Sequence, residues 1–480
     1  MTHSNFVGGQ WVPASDGATF ERRNPADTDV VVGVFPQSGP DDVAAAVAGV
    51  QAGYREWADF SPERRAAVLE GAGDWITAHG DDLAAELVRE EGKTLAEARM
   101  EVSRTPLNFR FYAAEAFRLT GQTFPSADGS LVMTLRGPVG VVAAITPWNF
   151  PLNIPSRKLG PALAAGNGVV FKPSEVTPLM GQRLVEALLA AGLPAGAIAL
   201  VQGGGATGAA LVADARVGAV TFTGSYAVGK AIHAAAGPTR RTQLEMGGKN
   251  PVVVLADADL ERAAQIIVKG AFGLSGQACT GTSRVVAQDE VHDALLARVV
   301  ELAEQRVVGS GLTSGVDMGP QATAQQRDKV LDYVALGQQE GARLVGGGEP
   351  ITDGALARGH FVRPAVFSEV APAMRLAQEE VFGPVLAFQR VSSFEEAVQV
   401  ANDTEYGLSA GIVTRDLARA LDFVRESSTG LVKVNQPTSG VAMNAPFGGL
   451  KNSSTQTYKE QAGDTMMHFY TQEKTVYVSS

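Results

Sequence analysis

From Gly140 onward the chain alternates short apolar, β-branched runs with stretches of helical spacing, and this alternation most narrows the folds open to it. Val141 to Ile145, Gly168 to Lys172, Ala197 to Gln202 and Ala219 to Thr223 read as buried strands. Lys158 to Ala165, Thr177 to Ala191 and Ala206 to Ala213 read as the helices between them. A second block follows Gly247, with strands at Pro251 to Leu255, Ser283 to Ala287, Phe361 to Phe367 and Val385 to Arg390. Its helices fall at Leu260 to Phe272, Val291 to Gln305 and Gln325 to Gln339, and Gly346-Gly347-Gly348 reads as a loop. Alternation of this kind predicts an α/β chain with Rossmann-like, doubly wound parallel sheets. Such sheets take their ligands at the carboxyl ends of the strands.

Ahead of these blocks, Asp41 to Val50 and Pro62 to Met100 read as helices, the second with Pro62 near its start, where a missing N–H does no harm. At the far end, Lys474 to Val478 is β-prone and suits a terminal strand pairing with another sheet, in this subunit or another. With 480 residues the chain exceeds one ordinary core, so two or more domains are expected.

The formal net charge of −11 disfavours duplex DNA and acidic membranes as partners. No segment has the roughly 18 uninterrupted apolar residues of a membrane helix. Met1 to Gln10 shows no basic stretch followed by an apolar one, so no secretory signal is expected. One cysteine cannot form an internal disulfide, which points to a reducing, cytoplasmic setting. The six histidines show neither i, i+4 pairing nor a neighbouring cysteine, so no metal site is read.

Several short segments carry chemistry. Cys279 lies in Gly276-Gln277-Ala278-Cys279-Thr280. A free cysteine is ordinarily a small buried apolar group, but small and polar neighbours leave this sulfur accessible, and accessible thiolates are the reactive ones. Glu245, in Gln243-Leu244-Glu245-Met246-Gly247-Gly248-Lys249, stands directly before an apolar strand. Burial there would raise its pKa and make it a usable base. Phe222-Thr223-Gly224-Ser225 ends a strand, with Gly229 close to the first turn of the next helix. Such a turn offers free N–H groups to a phosphate; it lacks the GxGxxG fingerprint, and a simple tight turn is the alternative ahead of it. Lys172-Pro173-Ser174-Glu175 could hydrogen-bond ribose hydroxyls, or be a surface turn. In Pro147-Trp148-Asn149-Phe150-Pro151 the prolines hold an amide that could stabilise an oxyanion, an effect of ~3 kcal/mol; an ordinary proline-rich turn is the alternative.

Taken with Glu380 to Pro384 and Pro446 to Lys451, these segments in this order resemble the aldehyde dehydrogenase superfamily over roughly Phe6 to Val478. Within it the chain is similar to the α-ketoglutaric semialdehyde (2,5-dioxovalerate) dehydrogenases, through Gln243 to Pro251, Gly430 to Val441 and Asn444 to Ser454. Most relatives have Ser-Gly where this chain has Ser453-Ser454, a departure shared with that group. The resemblance implies that Cys279 attacks the aldehyde, that Asn149 and the Cys279 N–H hold the oxyanion, and that Glu245 activates water against the thioester. It implies a small-molecule aldehyde as substrate and NAD or NADP as cofactor. Lys172 and Glu175 match contacts to the adenosine ribose, and Gly224 and Ser225 the pyrophosphate turn. Glu380 and Phe382 match the nicotinamide-ribose region, and Ile145 and Trp148 the wall of the site.

Arg157 matches a carboxylate-binding arginine of succinic semialdehyde dehydrogenases, which implies a distal carboxylate on the substrate. Those enzymes carry a second arginine six residues before the cysteine, where this chain has Gly273. Glu175 would repel a 2′-phosphate and favours NAD, while Lys172 nearby leaves NADP admitted. A succinic semialdehyde or broad-specificity dehydrogenase, a CoA-acylating relative and a catalytically silent protein on the same scaffold are the competing readings. The presence of Glu245 argues against CoA acylation; Cys279, Glu245 and Asn149 together argue against silence. The resemblance further implies a cofactor domain from residues 1–119 and 138–247, a catalytic domain over 248–446, and a small β oligomerisation element from 120–137 with the return segment 447–480. A homodimer or homotetramer is implied with it.

Overall fold

The apolar runs after Gly140 become neighbouring parallel strands of one sheet. In a computed structural model that describes residues 1–455, 458–461 and 464–479, this sheet runs Arg241–Glu245, Val217–Thr223, Val141–Ile145, Gly168–Lys172, Ile198–Leu200, Asn5–Val7, Gln10–Val12. The first five strands are parallel, and the N-terminal pair closes the edge antiparallel. Helices Asn153–Ala164, Pro178–Ala190, Gly205–Ala213 and Tyr226–Ala236 connect them. Val141–Ile145 and Gly168–Lys172 are buried at every position, as strands covered on both faces must be.

The second block forms a sheet in the order Arg343–Gly346, Ala365–Ser368, Val385–Val391, Thr282–Gln288, Asn250–Val254, Ser409–Val413, Leu431–Val434. It is parallel except at the Arg343–Gly346 edge. Thr471–Val478 pairs antiparallel with Leu131–Pro138 of the same chain, and Thr123–Phe124 completes this third, three-stranded sheet. Among the described residues no helix is long and apolar enough to cross a membrane.

Some sequence expectations need correction. Pro62 to Met100 is not one helix but Pro62–Ala78, Gly80–Glu91 and the start of Leu95–Ala116. Gly92 breaks it with a left-handed φ of 103°, and Thr94 then caps a new helix through a reciprocal box with Glu97. Of the expected Phe361 to Phe367 strand, only the part from Ala365, just after Pro364, joins the sheet; Val362 instead forms an antiparallel bridge with Pro350. Lys158 to Ala165 starts five residues earlier, at Asn153. Gly346 ends a strand, and the glycine loop is Gly347 and Gly348, both at positive φ. Arg241–Glu245 was not foreseen as a strand, because Arg-Thr-Gln-Leu-Glu lacks an apolar run; its parallel ladder with Val217–Thr223 supplies what its composition does not.

Candidate active site

Parallel register lines the motifs up along one sheet edge. Ile145 pairs with Lys172 on one side and Phe222 on the other, and Thr223 pairs with Glu245. The segments that follow these strands therefore leave from a common row. Lys172 and Glu175 form an ion pair at 3.3 Å, the lysine buried and the glutamate half-exposed. Ser225 occupies the N-cap of Tyr226–Ala236 with extended backbone and no side-chain cap, so the first amides of that helix are not taken by a cap. A Cβ on Gly224 would meet the Phe222 ring at 2.4 Å, and one on Gly229 the Met246 sulfur at 2.5 Å. From the segment before Val385–Val391 of the second sheet, Phe382 meets Trp148 edge to face at 5.4 Å, and Glu380 Oε1 accepts the Gly248 N–H at 3.0 Å. This donor set suits a dinucleotide: uncapped helix amides for the diphosphate and a lysine–glutamate pair for ribose hydroxyls.

Cys279 and Asn149 arrive from different halves of the chain. Asn149 is buried and its Nδ2 donates to the Gln277 carbonyl at 3.0 Å, two residues before the cysteine. The Cys279 carbonyl accepts from Asn250 Nδ2 at 2.8 Å. The thiol-bearing loop is sharply turned: Leu274 and Ser275 hold left-handed φ of 54° and 56°, and a Cβ on Gly276 would collide with Gly383 at 2.2 Å. Cys279 itself is half-buried. Burial first, then the charges of Glu380, Glu460 and Glu245, push its pKa up to about 12, while Arg157 pulls it down.

Glu245 is 1 % exposed. Its Oε1 accepts the Ser454 hydroxyl at 2.8 Å, and its Oε2 has no hydrogen-bond partner among the described residues. Burial, then Glu460, raises its pKa to about 8; the Ser454 hydrogen bond and the charges of Lys158 and Lys459 oppose the rise. A carboxyl so placed exchanges its proton in the range where a general base is useful.

Arg157 lies in a helix buried at all twelve positions. It is 8 % exposed, sits 6.0 Å from the Phe447 ring centroid, and makes no hydrogen bond or ion pair among the described residues. Burial opposes the charge of this guanidinium, and the Glu460 carboxylate supports it.

The sequence reading missed six further residues around the site. Lys158 Nζ contacts Glu460 Oε2 at 2.7 Å, Thr221 Oγ1 at 3.0 Å and Gln243 Oε1 at 3.2 Å, and Glu460 also accepts from Thr223 Oγ1 at 3.0 Å. A second cation beside Arg157 in a helix buried at every position was the available signal. Ser454, on Glu245, was noted only as a departure from the family pattern. Lys93 Nζ binds the Asn149 carbonyl at 2.7 Å and Glu101 at 2.6 Å, and Glu101 Oε1 accepts the Leu152 and Asn153 N–H groups. Glu97 Oε1 takes the Leu274 N–H at 2.7 Å. Nothing local in the sequence marks these last three.

The chain is also similar to known proteins over nearly its whole length. The model of the aldehyde dehydrogenase family matches residues 11–476. The chain is 42 % identical to the alpha-ketoglutaric semialdehyde dehydrogenase of Bacillus subtilis (strain 168), over 99 % of this chain and 98 % of that one. It is 43 % identical to the 2,5-dioxopentanoate dehydrogenase of Saccharolobus solfataricus, over 98 % of each. Among solved structures, an NAD-dependent aldehyde dehydrogenase from Sinorhizobium meliloti superposes with a TM-score of 0.95 at 36 % identity, covering 100 % of this chain and 95 % of that one.

Proposed function

The chain belongs to the aldehyde dehydrogenase family, and we propose that its substrate is a carboxylate-bearing semialdehyde, α-ketoglutaric semialdehyde, oxidised to the dicarboxylic acid through a thioester on Cys279. The observation that carries this choice is Arg157, an enclosed guanidinium with no hydrogen bond or ion pair among the described residues, whose charge acts on the Cys279 thiol. A bidentate pair there would hold the distal carboxylate while the aldehyde carbon faces the sulfur.

Cys279 adds to the carbonyl as thiolate. Asn149 Nδ2 releases the Gln277 carbonyl and, with the Cys279 N–H, takes up the negative oxygen; donors fixed in advance lower the barrier by ~3 kcal/mol. A bound nicotinamide dinucleotide supplies the hydride acceptor. Lys172, Glu175, Gly224 and Ser225 would hold its adenosine and diphosphate portion, with Ile145, Trp148, Glu380 and Phe382 around the nicotinamide ribose. Glu245 then takes a proton from water, which opens the thioester and frees the thiolate. NAD is preferred over NADP in this reading, because Lys172 is already paired with Glu175 and the carboxylate repels a 2′-phosphate.

Succinic semialdehyde is a weaker fit, since Gly273 stands where a second anchoring arginine would be needed. We propose the same division of labour along the chain as the sequence suggested: cofactor binding in 1–119 and 138–247, catalysis in 248–446, and oligomerisation through 120–137 with 447–480, as a homodimer or homotetramer. A reducing, cytoplasmic setting keeps the thiol free.

The test is reduction of NAD and NADP with α-ketoglutaric semialdehyde, succinic semialdehyde and a neutral aliphatic aldehyde, for the wild type and Arg157→Ala. The wild type should favour the first aldehyde, and the variant should lose about 10- to 100-fold in kcat/KM for it, the size of a charge-assisted contact, while the neutral aldehyde changes little. An unchanged kcat/KM for the semialdehyde removes Arg157 as its anchor.

A further inference from the structure

We propose that Ser454 is a positioning residue for thioester hydrolysis: its hydroxyl holds one oxygen of Glu245 and commits the other to the attacking water. The inference rests on Glu245 being the base, and goes beyond it by saying what sets that base's orientation.

A glutamate carboxylate turns freely about its last torsion, with two equivalent oxygens. Here the two are made different. Oε1 accepts from Ser454 Oγ at 2.8 Å, and on another side a Cβ on Gly448 would come within 2.7 Å of the same oxygen, so Gly448 packs closely against it. Oε2 has no partner among the described residues and is buried, which leaves it as the oxygen with capacity to receive a proton.

The serine is itself held by backbone. Glu245 and Ser454 face each other in an isolated antiparallel bridge. The Met246 N–H donates to the Ser453 carbonyl at 2.8 Å, and the Thr455 N–H to the Leu244 carbonyl at 3.1 Å. Ser453 Oγ donates to the Gly247 carbonyl at 2.7 Å. Residues 453–455 thus run along the strand end that carries the base, and this alignment needs no Ser454 side chain. Removing the hydroxyl takes away the Glu245 contact together with one to the Thr455 carbonyl at 3.1 Å, while these backbone hydrogen bonds do not depend on it.

In the step concerned, water gives a proton to Glu245 Oε2 as its oxygen bonds to the thioester carbon. The C–S bond then breaks, the carboxylic acid leaves, and Cys279 departs as thiolate. The charged groups that act on Glu245 are Glu460, Lys158 and Lys459, and Glu245 acts in turn on the Cys279 thiol. The Ser454 hydrogen bond favours the ionised carboxylate, so losing it raises the base's pKa and moves the rising limb of hydrolysis to higher pH.

The experiment follows decay of the acyl-enzyme after the NAD(P)H burst, as loss of protein-bound acyl mass in quenched samples, between pH 6 and pH 10. Wild type, Ser454→Ala, Ser454→Gly, Ser454→Thr and Glu245→Gln are compared. Ser454→Ala and Ser454→Gly should decay about tenfold slower at pH 7, one pH unit of displacement, and approach wild type at high pH, while Ser454→Thr keeps the wild-type limb. Glu245→Gln should hold the acyl group at every pH. If Glu245→Gln stalls but the Ser454→Ala curve superimposes on wild type, or drops evenly at all pH, the positioning role is overturned alone. If Glu245→Gln hydrolyses at the wild-type rate, the base assignment fails and this inference falls with it.

Discussion

At the scale of single residues, the site combines a thiol and a carboxyl whose ionisation burial opposes. Burial holds Cys279 at about 12 and Glu245 at about 8, and each carboxylate near the sulfur opposes its ionisation. Without dinucleotide, alkylation of Cys279 by iodoacetamide should be slow at pH 7 and rise about tenfold per pH unit between pH 8 and pH 11, because only the thiolate reacts. Arg157 is the one charge among the named causes that favours the thiolate, so Arg157→Met should slow alkylation further at any fixed pH in that range. A flat profile, or a variant that reacts faster, would show that the electrostatic account of the thiol is wrong. The segments of Cys279, Glu245 and Asn149 stood out in the sequence only together, and their roles came from the family resemblance rather than from any one segment. Lys158 and Glu460 did not stand out, since their meaning arises from an ion pair across 302 positions of chain.

At the scale of elements, one helix start braces both sides of the reaction centre. Lys93 and Glu101 fix the backbone of the Asn149 turn, and Glu97 holds Leu274 in the loop that leads to Cys279. Thr94 caps the same helix, its side chain hydrogen-bonded to Glu97. Comparing two variants separates stability from alignment. Thr94→Ala should cost about 1 kcal/mol, the usual loss of a cap, seen as a lower Tm with little change in kcat. Glu97→Ala loses the cap partner and the Leu274 contact together, so kcat should fall by about tenfold as the oxyanion donors lose register with the sulfur, while dinucleotide affinity stays unchanged. Equal kcat in the two variants would reduce Glu97 to a capping residue. This brace was hidden from sequence reasoning for the same reason the Pro62 to Met100 stretch was misread. Helical spacing continues through Gly92, and only the left-handed turn there reveals that a new helix begins, pointing its first residues at the site.

At the scale of the whole molecule, the two parallel sheets were legible because strands buried on both faces have an unmistakable apolar signature, whereas Arg241–Glu245, polar in sequence, takes its place from the ladder beside it. The third sheet raises a different question, because it leaves apolar side chains in water. The register pairs Leu131 with Val478 and Leu135 with Lys474, so Leu131, Leu135 and Val478 lie on one face, and all three are exposed. Isolated exposed leucines are ordinary, but a row of them on a thin sheet is the kind of surface a second copy covers. Arg241, on the strand that ends in Glu245, donates to the His468 and Phe469 carbonyls and so ties the root of this sheet to the body of the chain. Sedimentation should find the wild type at two or four times the mass of one chain. Replacing Leu131 and Leu135 together by glutamate puts like charges on this exposed face, and should shift the protein to a single-chain species with a lower Tm. A wild type that sediments as one chain, or a double variant that keeps the larger mass, would locate self-association elsewhere or abolish it, leaving the catalytic assignments, which rest on residues of one chain, as they stand.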